Sequence, residues 1–378
     1  MKSSYYCSIK ILSFIFIISA LQGCGLVSMM VDEEFEKVDD TLNLNLNKNG
    51  LTFPVLINNN ETSLVFDTGS TIPFLYDEKV LNNRKPDKIS NFGKVNYFGN
   101  KLDFYRTPLS FENDLFKSNN TVFVVLPDLY ALNDCSKREV TGGFYGKYFL
   151  DKILNLNFEH KKLFILDSLK TTTYTEIESK FFDLIQIQIK LNVNGKSEWF
   201  HFDTGNVLYP IIVNQNSEVI KDAKYDFNVK SNRLSLVEKQ NSTYYYQNYQ
   251  INFADEQISS YVISNSGIKE NKYNNVGLQF IKNYNWIIDY KNQKVYHKNY
   301  NQSRLNPIQV SKGHLNKSAV ENGKLVVIQM LDQIENQNYD LGDQILSVNG
   351  ASITPENICS YQELLNNSDW HILDIETQ

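Results

Sequence analysis

Two tripeptides in this chain have the residue types and setting for paired acid–base chemistry, Asp67-Thr68-Gly69 and Asp203-Thr204-Gly205. Each follows an apolar stretch, Leu64-Val65-Phe66 in one case and Phe200-His201-Phe202 in the other, and the next residues are Ser70 and Asn206. One carboxylate cannot both take a proton from water and give one to a leaving group. Two carboxyls about 3 Å apart can, because they cannot both ionise and so share a proton. Such a dyad titrates as a unit, and the sequence leaves open which of Asp67 and Asp203 is the charged member. Gly69 and Gly205 would let the backbone turn sharply beside the carboxylates. Reading each tripeptide as a surface turn accounts for neither the flanking apolar strands nor the duplication.

The duplication extends to the elements that must position the two loops. A hairpin signal precedes each Asp at the same distance, with Asn58 and Asn194 both at its turn. In the second copy Ile185, Ile187, Ile189, Leu191 and Val193 alternate with polar residues, the period of a half-buried strand, before the Asn194-Gly195 turn. A closing element is also shared. Phe144-Tyr145-Gly146 with Phe149-Leu150 and Asn157-Phe158 matches Asn275-Val276-Gly277 with Phe280-Ile281 and Asp289-Tyr290, with one residue of difference in spacing.

A hydrophobic strand, Asp-Thr-Gly, a long β stretch, then two apolar residues, Gly and a short helix resembles one lobe of the pepsin and retropepsin-like aspartic peptidases. The resemblance covers roughly residues 42 to 300. It implies an all-β, two-lobed aspartic-peptidase fold of tandem retropepsin-like lobes and an aspartic endopeptidase activity at Asp67 and Asp203. It also implies that Thr68 and Thr204 bond across to the opposite loop and that Ser70 offers a hydroxyl to its carboxylate. Asn206 departs from the family's Ser or Thr, but an amide can also donate. The substrate would be a peptide or protein lying extended in the cleft. A flap is expected over Asn91 to Tyr105, with Gly93 and Gly99 as hinges. His201, two residues before Asp203, shares its strand face and reads as a partly buried strand residue. The Tyr244-Tyr245-Tyr246 run reads as a sheet strand with outer aromatics.

The N-terminus is expected to be a targeting segment. Lys2 and Lys10 precede an apolar run, Ile11 to Ala20, and then Leu21-Gln22-Gly23-Cys24, which resembles the lipobox of bacterial lipoproteins. On that reading residues 1–23 are a signal peptide, Cys24 carries the lipid and becomes the mature N-terminus, and residues 24–41 are a solvated tether. The protein would then be a lipid-anchored envelope protein, facing the periplasm or the cell exterior. Cys135 and Cys359 are expected to be separate thiols. A net charge of −6 gives no basic footprint for nucleic acid, and the histidines and cysteines show no metal-ligand spacing, so neither metal nor other cofactor is implied.

After Tyr300 the pattern changes. Pro307 and Gly313 mark a linker, Leu325-Val326-Val327-Ile328 reads as a buried strand, and Gly342-Asp343-Gln344-Ile345-Leu346-Ser347-Val348-Asn349-Gly350 closely resembles the strand and turn of bacterial PDZ domains. The resemblance implies a small PDZ-like domain, a kind that binds extended peptides at a sheet edge, which here could present substrates, dock a partner or cap the peptidase. The expected organisation is therefore lobe 1 over residues 42–177, lobe 2 over 178–303, and linker with PDZ-like domain over 304–378. The rival reading is a non-catalytic peptide-binding or scaffolding lipoprotein that retains the fold.

Overall fold

A computed structural model describes residues 34–76, 87–88, 95–97, 100–102, 105–125, 135, 140–169, 173–182, 185–234, 237–253, 255–266, 274–300, 315–332 and 338–378. The segment expected to be a leader, Cys24, Gly93, Gly99, and Pro307 and Gly313 of the expected linker lie outside these residues. The chain is all-β and two-lobed, with a small C-terminal unit that carries a ten-residue helix, Ile358–Asn367.

Each lobe starts from the hairpin read in the sequence. Gly50–Ile57 pairs with Asn60–Phe66 around Asn58 and Asn59, both at positive φ, and Gln186–Val193 pairs with Lys196–Asp203 around Asn194 and Gly195. Positive φ at both turn residues matches the right-handed twist of the strands they join. Alternation then turns Leu64 and Phe66 inward in one lobe, and Phe200 and Phe202 inward in the other, all fully buried. A later strand adds in parallel to each Asp strand, Gly142–Phe144 in lobe 1 and Asn274–Gly277 in lobe 2.

The lobes meet in a six-stranded sheet to which each contributes three strands. Thr41–Asn43, Lys162–Leu166 and Ile153–Asn157 come from lobe 1, and Tyr284–Asp289, Lys294–Asn299 and Thr175–Ile177 from lobe 2. Its centre is the antiparallel pairing of Ile153–Asn157 with Tyr284–Asp289, with Leu154 opposite Ile288 and Leu156 opposite Trp286. Apolar side chains from both lobes form one continuous core. Within it the Tyr145 and Tyr290 hydroxyls hydrogen-bond across the boundary.

Several boundaries differ from those read in the sequence. Glu36–Lys37 pairs with Phe116–Val125, and Phe35 packs edge-on against Phe116, so the segment expected to be a solvated tether joins lobe 1 from about residue 35. Thr175–Ile177, assigned to lobe 1, pairs with a strand of lobe 2. Tyr245 and Tyr246 are buried rather than outward, Tyr245 stacking on Phe227 and Tyr261. The closing elements are also one residue out of step with the sequence match. Phe66 pairs with Phe144 and Phe202 with Val276, because Tyr145 is accommodated before Gly146, whose φ of +143° favours glycine.

The C-terminal unit is built into the molecule. Its Lys324–Asp332 strand pairs with Phe227–Leu234 of lobe 2, so the lobe-2 sheet runs on through Lys324–Asp332 to Lys317–Glu321 at its edge. Against lobe 1 it is held by a disulfide between Cys135 and Cys359, with Cα atoms 5.0 Å apart. The expectation of two separate thiols is thus corrected. Docking brings Cys135 onto the core of the C-terminal unit, a proximity between residues 224 positions apart that sequence spacing does not reveal.

Candidate active site

The two Asp-Thr-Gly loops lie at the ends of their Asp strands and face each other across the lobe boundary. Thr68 Oγ1 donates to Phe202 O at 2.7 Å, and Thr204 Oγ1 donates to Phe66 O at 2.5 Å. The Thr68 and Thr204 backbone N–H groups each donate to the opposite threonine hydroxyl at 3.0 Å. Both threonines are fully buried, so each hydroxyl satisfies main-chain groups that water cannot reach. The glycines allow the loops to nest. A Cβ on Gly69 would stand 2.5 Å from Asp203 Cγ, and Gly205 lies equally close beneath the Asp67 carboxyl.

Around this symmetric frame the two carboxyls have different surroundings. Asp67 Oδ1 accepts from Gly69 N at 3.0 Å. Asp203 Oδ1 accepts from Gly205 N at 2.9 Å and Asn206 N at 3.0 Å, and its Oδ2 accepts from Asn275 Nδ2 at 2.6 Å. Burial first, and then the neighbouring Asp203 charge, push the Asp67 carboxyl up to about 8, against the opposing pull of the Gly69 and Ser70 backbone N–H groups. His201 lies against the Phe182 ring, and burial pushes its imidazole down despite the attraction of Asp203.

The loop residues 67–70 and 203–206 come together here, though Ser70 and Asn206 do so differently from the expected pattern. Ser70 Oγ donates to Ile72 O at 2.7 Å instead of to Asp67. Asn206 reaches Asp203 through its backbone N–H, while its side chain bonds Asn275 Oδ1 at 2.8 Å. Sequence reasoning missed two residues. Asn275 was read only as part of the closing element. Gln186, whose Nε2 donates to Gly69 O at 3.0 Å across the lobe boundary, looked like one more outward position of an alternating strand. The hairpin of the expected flap is described as a pairing of Val95–Tyr97 with Asn100–Leu102.

The arrangement offers two carboxyls that can share one proton and a buried frame that keeps them together. Among the described residues no three His, Cys, Asp or Glu side chains converge as metal ligands would, and no helix is long and apolar enough to cross a membrane. No known protein-family profile matches the chain, and no curated protein was found to resemble it in sequence.

Proposed function

We propose that this protein is an aspartic endopeptidase in which water held between Asp67 and Asp203 attacks the carbonyl of an extended peptide. The ionised carboxyl takes the water proton as the oxygen–carbon bond forms, and the protonated carboxyl donates to the carbonyl oxygen. Collapse of the tetrahedral intermediate breaks the carbon–nitrogen bond, and the departing amine takes up a proton. The observation that carries this reading is the reciprocal seating of the loops, each threonine bonded to the opposite strand and each glycine beneath the opposite carboxyl. A non-catalytic scaffold draws its support from the departure at Asn206 and the PDZ-like tail, yet the Asn206 side chain has a positive role in the hydrogen bonding around Asp203.

The test is incubation of the mature chain with a diverse peptide mixture from acidic to neutral pH, with products identified by mass spectrometry. Wild type is expected to cleave, and Asp67→Asn and Asp203→Asn each to lose at least about 10²–10⁴-fold in rate. Cleavage that persists in both variants would sink the proposal.

The C-terminal unit fits a PDZ-like reading by its hairpin, its Ile345–Val348 strand with the Asn349-Gly350 turn, and its helix Ile358–Asn367. Strand addition by a peptide would use the outer side of Lys317–Glu321, the last described strand of that sheet. There Ser318 N donates to Asn366 Oδ1 at 2.8 Å, Asn366 Nδ2 donates to Ser318 O at 3.1 Å, and Lys317 Nζ donates to Asn366 O at 2.6 Å. A side-chain amide thus takes the main-chain positions of an added strand. Of the roles open to this unit, capping and bracing the lobes is therefore favoured over reading a peptide ligand.

Anchoring through Cys24 remains part of the proposal, since several acyl chains would hold a protein stably at a bilayer. Cys24→Ser is expected to move the protein from the membrane to the soluble fraction, and unchanged membrane retention would exclude the lipid anchor.

A further inference from the structure

The hydrogen bonds around the dyad have a direction that can be traced to its source. Tyr209 N–H is a backbone amide and can only donate, and it donates to Asn206 Oδ1 at 3.3 Å. Asn206 therefore presents Nδ2 to Asn275 Oδ1, at 2.8 Å. With its oxygen so engaged, Asn275 presents Nδ2 to Asp203 Oδ2, at 2.6 Å. The relay thus delivers an N–H donor to Asp203, and a donor of this kind stabilises the ionised form of a carboxyl.

Among the described residues lobe 1 has no counterpart to this donor. In the sheet register Asn275 pairs with His201 and Gly143 pairs with Val65, two residues before Asp203 and Asp67 respectively, so Gly143 occupies the position of Asn275. The space that a side chain there would need is filled by the Phe74 ring, since a Cβ on Gly143 would stand 2.5 Å from Phe74 Cζ. An apolar ring thus occupies in lobe 1 the ground that a donating amide occupies in lobe 2. Among the described residues the titratable groups facing Asp203 are Asp67 from the opposite loop and His201 on its own strand, and burial disfavours the charged form of His201. Gln188, paired opposite His201, and Gln186, bonded to Gly69 O, are uncharged. None of these supplies lobe 1 with a matching donor.

We infer that Asn275, oriented through Asn206, is a positioning residue that keeps the dyad's negative charge on Asp203, so that Asp203 is the base toward water and Asp67 the acid toward the carbonyl. This rests on the peptidase reading above. It also gives Asn206 a role, because its amide carries acceptor and donor on separate atoms, Oδ1 toward Tyr209 N–H and Nδ2 toward Asn275.

The experiment is a pH profile of kcat/KM for the full chain and for Asn275→Ala and Asn275→Leu, the second close to asparagine in size and, like alanine, without a side-chain donor. The acid limb is expected to move upward by about one pH unit in both variants while the basic limb stays in place. A uniform loss of rate with both limbs unmoved, or movement of the basic limb alone, would overturn the inference. Carbon-13 NMR titration of aspartate-labelled full chain keeps it testable apart from activity, with resonances assigned through Asp67→Asn and Asp203→Asn. If wild type shows no dyad-dependent cleavage, the peptidase reading fails. The charge assignment is then still decided by whether Asp203 ionises first and whether Asn275→Ala moves that ionisation to higher pH; if neither holds, the assignment is wrong.

Discussion

The two lobes share a frame and differ in what fills it. The shared part is hairpin, Asp-Thr-Gly loop and parallel closing strand, and it is reciprocal down to the threonine hydrogen bonds. The unequal part is one of amides against glycines. Gln186 in lobe 2 grips the lobe-1 loop at Gly69 O. Its counterpart by hairpin register is Gly50, where a Cβ would stand 2.7 Å from Val207 Cγ2, so the lobe-2 loop approaches lobe-1 backbone directly. Asn275 and Gly143 repeat the pattern beside the carboxyls. Symmetry thus keeps the two carboxyls together, and its local breaking gives them different hydrogen-bond surroundings. The lobes also differ in their hold on the C-terminal unit, which shares a sheet with lobe 2 and a disulfide with lobe 1.

That last difference predicts the largest stability effect. Closing a loop across 224 positions constrains the unfolded chain by about 5 kcal/mol in the chain-entropy treatment. Cys359→Ser is therefore expected to lower the thermal midpoint well below that of the oxidised wild type and to make the midpoint insensitive to reductant. Equal midpoints with and without reductant in wild type would show that the disulfide does not brace lobe 1. Next come the reciprocal threonines. Thr68→Val and Thr204→Val each leave buried backbone groups unpaired and should cost about 1–3 kcal/mol in denaturant unfolding. The two losses should be nearly equal, and a large inequality would mean that the frame is not reciprocal.

Asp67 sets the pH response. Its carboxyl is pushed from an ordinary 3.8 up to about 8. Between those values the folded chain holds a proton that the unfolded chain has released, so this group's contribution is fully present below pH about 4 and is lost as pH rises to about 8. Asp67→Asn removes the titration. It should flatten the thermal midpoint against pH over that window and raise the midpoint at its upper end, by roughly 2–4 °C for each kcal/mol relieved. A midpoint that rises with pH in wild type across the same window would contradict the neutral assignment of Asp67. The smallest effect is Gln186→Ala, which deletes one hydrogen bond between the lobes and should cost about 1 kcal/mol, without moving either limb of the pH profile. A moved limb would mean that Gln186 acts on the carboxyls and not only on the loop that carries Asp67.

The repeat, the paired Asp-Thr-Gly loops, the alternating strand from Ile185 to Val193 and the Asn-rich turns were legible in the chain because they are local. Strand period, turn chemistry and the duplication of a motif are written in consecutive residues. The all-β, two-lobed character follows from them. What surrounds the carboxyls was not legible. Matching the closing glycines sets Asn275 against Phe144, whereas the sheet register sets it against Gly143, and a one-residue slip in a strand changes which side chain faces the dyad. Ser70 turning to Ile72 O, Gln186 crossing to Gly69 O, Cys135 meeting Cys359 and Asn366 filling the edge at Ser318 are likewise matters of approach between distant segments. Such contacts depend on how whole sheets pack. The sequence therefore specified which groups could form the dyad, and tertiary packing decided that a donating amide meets Asp203 while the Phe74 ring fills the matching space beside Gly143 in lobe 1.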